Sequence, residues 1–195
     1  MTTATLEKPR TRPKLRFTKA GDPILPNGYE FVNGKLVEGA VSELSAWVSR
    51  KLNFHLDLWI LDKPIGLFFT GTSEQGFQCF PFLPKQVRRP DAAFVRRDMT
   101  GQFLLTDGFT KDVPEFIAEV ISPGDRIYAL DEKLDEFLRA GTKLIWVINP
   151  IRRTARIIHA DGVAYPIRED GVLDGEDVLP GLIIPLSSIL PPKVD

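Results

Sequence analysis

Cysteine and histidine are nearly absent from this sequence: 195 residues contain one cysteine, Cys79, and two histidines, His55 and His159. A lone thiol excludes an internal disulfide and gives no sign of an oxidising compartment. Two scattered histidines and no CxxC pair exclude a zinc cluster or a histidine-centred nuclease site. No apolar run reaches the roughly 18 residues that cross a bilayer. The basic N-terminus lacks the apolar stretch and cleavage site of a signal peptide, so the expectation is a soluble, cytoplasmic protein. A glycine-rich phosphate loop, a G-x-S-x-G elbow, internal repeats and low-complexity tracts are also missing.

Net charge is -1, but it is unevenly spread. Residues 1–20 carry six bases (Lys8, Arg10, Arg12, Lys14, Arg16, Lys19) against Glu7 alone, so the remainder is acidic. Residues 1–22 read as a basic, flexible N-terminal segment, solvated or adding phosphate contacts on nucleic acid. Residues 23–195 read as one domain, long enough to bury about two-thirds of the surface of the unfolded chain.

Asn33-Gly34 between Tyr29–Val32 and Lys35–Glu38 predicts a hairpin. Val41, Leu44, Val48, Leu52, Leu56 and Trp59 step by three and four, which predicts an amphipathic helix ended by Lys63-Pro64. Residues 65–70 and 77–82 read as strands joined by a polar turn at 71–76. Further strands are expected at 91–96 and 115–121. A second helix should start near Ser122–Asp125, capped by Ser122, with an apolar stripe of Ile127, Leu130, Leu134, Phe137 and Leu138 and a stop at Gly141. Leu144–Ile148 has the run of a central strand. Strand, helix and strand from 115 to 148 imply a right-handed parallel crossover, and segments 155–159, 163–167 and 182–184 read as short antiparallel additions. The fold class is therefore α/β with a mixed sheet.

Two of these strands carry a carboxylate among apolar neighbours, Asp91 beside Ala92-Ala93-Phe94-Val95 and Glu119 within Phe116–Ile121. A carboxylate in such a place costs several kcal/mol, on the order of a buried unpaired charge, unless it is neutralised, hydrogen-bonded or bound to a cation. If the strands are neighbours the two can converge, and their spacing permits a hairpin with a long loop. Lys133, at the edge of the second helix's stripe, has a stem long enough to bring its ammonium toward them. Glu43, near the start of the first helix, is a candidate fourth member. Carboxylate oxygens select hard cations such as Mg²⁺ or Mn²⁺, and with a lysine alongside suit hydrolysis of a phosphodiester.

Pro90-Asp91, Glu119-Val120-Ile121-Ser122-Pro123, Lys133, Phe137, Gly141 and Ile145-Trp146-Val147-Ile148-Asn149-Pro150 together resemble the Uma-two-type restriction endonuclease family, within the PD-(D/E)XK nuclease superfamily. The likeness runs from about Gly28, through the Tyr29–Gly34 hairpin, to Leu179-Pro180-Gly181. It implies a restriction-endonuclease-like core, a mixed sheet flanked by two main helices with added hairpins. It also implies Asp91 and Glu119 as metal ligands, DNA as substrate and divalent-metal-dependent endonuclease activity. Ile121 stands where the superfamily pattern puts a lysine two residues after the acid; some branches move that lysine to the following helix, which makes Lys133 its substitute. Glu43 resembles the helix-borne acid that some branches add.

Two rivals stand beside this reading. One is a catalytically inactive nuclease-like module that binds nucleic acid or a protein, a reading that Ile121 keeps open. The other uses the carboxylates directly as acid and base, for instance on a sugar, without metal. Lys85, Arg88, Arg89, Arg96 and Arg97 read either as phosphate contacts or as a solvated edge. Trp47, Trp59 and Trp146 read as core and His55 as a helix-surface residue. A C₂ homodimer is an economical way to cut both strands of a duplex.

Overall fold

The structure, a computed structural model, describes residues 13–18, 21–70, 76–100, 104–105 and 108–193. Its elements are β1 (Arg16–Phe17), β2 (Pro23–Ile24), β3 (Tyr29–Val32), β4 (Lys35–Glu38), α1 (Glu43–Ile60), β5 (Gly66–Thr70), β6 (Ala92–Arg96) and β7 (Phe116–Val120). There follow α2 (Ile127–Ala140), β8 (Leu144–Asn149), β9 (Thr154–His159), β10 (Ala164–Ile167), β11 (Val172–Asp174), β12 (Ile183–Pro185) and the short α3 (Leu186–Ile189). Six strands form the central sheet in the order β10-β9-β8-β7-β6-β5. Only β7 and β8 run parallel, joined through α2 as the crossover pattern predicts. The hairpin β3–β4 turns at Asn33-Gly34, and β11 and β12 pair apart from the main sheet.

Side chains of the central strands alternate between two cores, because a pleated strand sends successive residues to opposite faces. On one face Phe94, Phe116, Ala118, Leu144 and Trp146 meet Val48, Leu52, Leu56 and Trp59 of α1 and Leu186 and Ile189 of α3. On the other, Ala93, Val95, Ile117, Ile145 and Val147 meet Leu134 and Phe137 of α2, roofed by Phe77, Cys79 and Phe80. The molecule is thus an α/β sandwich of helix, mixed sheet and helix. The side on which a residue lies follows from its parity in the strand.

The structure departs from the sequence reading in several places. Residues 77–82 are not a strand: Phe77 makes single bridges to Arg88 and Thr110, and the Leu83 amide then turns back to the Phe80 carbonyl, past Pro81, which has no N–H to donate to a ladder. The expected polar turn falls largely on residues 71–75, outside the described residues. Of the expected leader, residues 1–12 and 19–20 lie outside them as well. Within it, Arg16–Phe17 pairs with Pro23–Ile24 and Phe17 meets the Phe31 ring edge-on. Helix α2 begins at Ile127, not near Ser122. Asp125 closes a turn first, accepting from the Ser122 amide at 2.7 Å and donating its own amide to the Ser122 carbonyl. The Ser122 hydroxyl is engaged by Ser45 at 2.6 Å and by the Ser42 amide at 3.1 Å, so it cannot cap α2. Ile127 consequently lies outside the apolar stripe and is exposed. Trp59 and Trp146 are core residues as read, but Trp47 is exposed.

Candidate active site

Strands β6 and β7 are antiparallel neighbours with Ala92 opposite Ala118 and Ala93 opposite Ile117. That register puts Asp91, one step before β6, across from Glu119, on the α2 side of the sheet. Asp91 stands where the β6–β7 ladder ends, and its carboxylate replaces the missing strand partner: Oδ2 accepts the Val120 amide at 2.7 Å. From beneath the sheet, Asn53 of α1 donates its side-chain amide to the Asp91 carbonyl at 3.2 Å. The aspartate is therefore held by two elements before any ligand arrives.

Lys133 comes down from α2 on the same face. Its Nζ lies 2.6 Å from Glu119 Oε1 and 2.9 Å from Glu30 Oε1, and it donates to the Arg89 carbonyl at 2.9 Å. The contact to Glu119 is an ion pair without the alignment of a hydrogen bond, which leaves buried Oε1 with no hydrogen-bond partner. The sequence reading brings Asp91, Glu119 and Lys133 together, and so does the fold.

Glu30 is the member that sequence reasoning missed. It arrives from β3, outside the main sheet, and also accepts the Arg89 amide at 2.7 Å and Arg88 Nη1 at 3.1 Å. Arg88 is itself clamped by Glu136 of α2 through Nε at 2.7 Å and Nη2 at 2.8 Å, a two-pronged contact that fixes the guanidinium plane. Gln86 donates to Glu136 at 2.5 Å and accepts the Asn33 amide at 2.9 Å. Hairpin, loop and helix are thereby locked around the lysine. Glu43 opens α1 and is exposed; the charges that act on Asp91 are those of Lys133, Asp125 and Glu30, and on Glu119 those of Lys133, Asp91 and Glu30.

Protonation follows from burial and crowding. Burial, followed by the neighbouring charges of Asp91 and Glu30, pushes the Glu119 carboxyl up to about 8 against the pull of Lys133. Burial also raises Asp91, opposed by the Val120 amide and Lys133. Lys133 is buried too, which works against its charge, yet Glu119 and Glu30 outweigh that and hold it above the ordinary lysine range. Glu30 is lowered despite its burial, because Lys133, Arg88 and the Arg89 amide surround it. One ammonium is thus shared by more carboxylates than it can neutralise.

The Uma2 family model, described as "Putative restriction endonuclease", matches residues 25–187. The chain belongs to the Uma2 family. A solved structure described as a putative nuclease belonging to DUF820, from Anabaena variabilis, is similar to this chain at a TM-score of 0.69 and 14% identity. The match covers 85% of this chain and 92% of that one. At that identity the likeness speaks for the shared fold, the restriction-endonuclease-like α/β core. The curated proteins contain no match.

The site of this Uma2 protein suits a small hard cation. Glu119 Oε1 is a buried oxygen without a hydrogen-bond partner, and the charges of Asp91 and Glu30 raise the need of Glu119 for positive charge. Among the described residues no three acidic, histidine or cysteine side chains are grouped to cage an ion. A pair of carboxylates is the donor chemistry that Mg²⁺ or Mn²⁺ takes, since these ions are bound through one or two carboxylates and keep several waters. Asp91 and Glu119 are the two carboxylates that would hold it.

The basic stretch from Lys85 to Arg97 divides in a way neither sequence reading anticipated. Arg88 and Arg89 are buried, Arg88 on Glu30 and Glu136 and Arg89 on the Pro26 and Tyr29 carbonyls at 2.9 and 2.8 Å. Arg96 pairs with Glu115 and Arg97 with Asp112. Lys85 stands over the Phe17 ring.

Proposed function

We propose that this protein is a divalent-metal-dependent endonuclease that hydrolyses DNA phosphodiester bonds, with Asp91 and Glu119 as metal ligands and Lys133 as a catalytic cation. The observation that carries this reading is the convergence of two carboxylates from adjacent strands with an ammonium in contact with one of them. Membership of a family named for restriction endonucleases supports the choice of substrate.

A bound Mg²⁺ or Mn²⁺ would supply charge neutralisation at the phosphoryl group and acidify a water. The residues of this chain then have distinct tasks. Asp91, pinned by the Val120 amide through Oδ2, keeps its other carboxylate oxygen for the cation. Glu119 would hold the cation in its carboxylate form, since only that form ligates. Lys133 is held charged by Glu119 and Glu30, so it acts as a donor of positive charge and not as a base, orienting the attacking water or stabilising the charge that builds on phosphate oxygens. Glu30 is a positioning residue that aims the ammonium. In this arrangement Lys133 supplies from the helix what Ile121 cannot supply from the strand.

Incubation of supercoiled and linear DNA with the purified protein and Mg²⁺ or Mn²⁺ tests the reading. Asp91→Ala and Lys133→Met should each lower the nicking rate by at least ~10²-fold, the scale of losing one electrostatic stabiliser, with far-UV circular dichroism unchanged. Equal nicking by wild type and variants would mean that another protein does the cutting. Wild-type protein that takes up Mn²⁺ but cuts neither DNA would point to a nuclease-like binding module.

A further inference from the structure

Helix α1 has two apolar faces. One is the core stripe of Val48, Leu52, Leu56 and Trp59. The other looks outward: Trp47 is 41% exposed, Phe54 58%, Leu58 55% and Leu61, its C-terminal cap, 75%. At about 100° per residue these four fall within an arc of roughly 60°, on the side of the helix turned away from the core stripe. Single exposed apolar side chains are ordinary on a protein surface, whereas four in line make a patch on the order of a few hundred Å², the kind that marks an interaction site. We propose that this face is a homodimer interface, covered by α1 of a second copy lying antiparallel across a two-fold axis near Phe54.

The charges beside the line choose that occupant. Arg50 and Asp57 are both exposed on the same flank of the apolar line. Arg50 leans over the Trp47 ring at 5.3 Å, and neither residue has an ion pair among the described residues. An antiparallel two-fold at Phe54 stacks Phe54 on its own copy, sets Trp47 against the partner's Leu61, and brings Arg50 alongside the partner's Asp57. By symmetry every contact occurs twice. A parallel pairing would instead carry this flank to opposite sides of the seam in the two copies, leaving Arg50 and Asp57 out of reach of each other's partners. A polyanion is a poor alternative, because Glu43, Asp57 and Asp62 are exposed along the same helix and its end. The face lies on the side of the sheet opposite α2, so the dimer leaves both candidate active sites uncovered, and the inference does not depend on the proposed activity.

Light scattering behind size exclusion, with the full chain at tens of micromolar, should give a dimer, twice 21.9 kDa. Phe54→Glu with Leu58→Glu should give a monomer with an unchanged circular dichroism spectrum. Arg50→Asp alone and Asp57→Arg alone should each weaken dimerisation about tenfold or more, and combining them should restore it, since the swapped charges again face each other. A monomeric wild type, a dimer that survives the two glutamates, or a double swap no better than the single changes would each overturn the proposal.

Discussion

Lys133 is the residue on which the charge balance turns. It serves Glu119 and Glu30 directly, while Asp91 adds a further negative charge close by. Glu119 holds its proton to about pH 8 in the fold but to the ordinary carboxyl range, about 4.3, when unfolded. Between those values the native state binds more protons than the unfolded chain, so stability falls as pH rises through the window and stays lowered above it. Glu119→Gln, which keeps the shape and removes the titration, should flatten the fall in melting temperature between pH 5 and 8 that metal-free wild type shows. Superimposable profiles would remove the basis for a raised Glu119. Asp91, Glu119 and Lys133 were legible because each interrupts an apolar run or stripe. Glu30 was not, because a single acid in a two-stranded hairpin looks solvated, and its partners come from loop and helix segments far along the chain.

At the scale of elements, periodicity was sufficient wherever an element buries one face. Strands β6 to β9, helix α1 and the parallel crossover all follow from it. It failed where local hydrogen bonds override pattern. Ser122 has capping chemistry but spends its hydroxyl on α1, and Phe77-Gln78-Cys79-Phe80 has a strand's composition but roofs a core. The end of α2 is the clearest success. Gly141 takes φ 115° and its amide returns to the Phe137 and Leu138 carbonyls. Any other residue is strained at such a φ, so Gly141→Ala should cost about 1–3 kcal/mol in urea unfolding. It should do so without changing the metal response, because Lys133 sits two turns earlier. A neutral effect would mean that the helix end relaxes freely.

For the whole molecule, the proposed cation binding would be coupled to folding. The site exists only when β6, β7, α2 and the hairpin are assembled, so a cation that binds it stabilises the native state alone. At a hundredfold excess over Kd the gain is about 2.7 kcal/mol, or roughly 5–10 °C for a chain of this size. Mg²⁺ or Mn²⁺ should therefore raise the melting temperature of wild type and leave that of Asp91→Ala nearly unmoved. Equal shifts in both proteins would place the ion elsewhere.

The hairpin that delivers Glu30 also limits how far the chain can be trimmed. A truncation beginning at Gly39 keeps α1 and all six strands of the central sheet, and by outline it looks like a complete minimal core. It would nevertheless take Glu30 away from both Lys133 and Arg88, so two interior cations would each lose a counterion. The smallest self-sufficient fragment is thus set by electroneutrality around one lysine, and it starts before Tyr29.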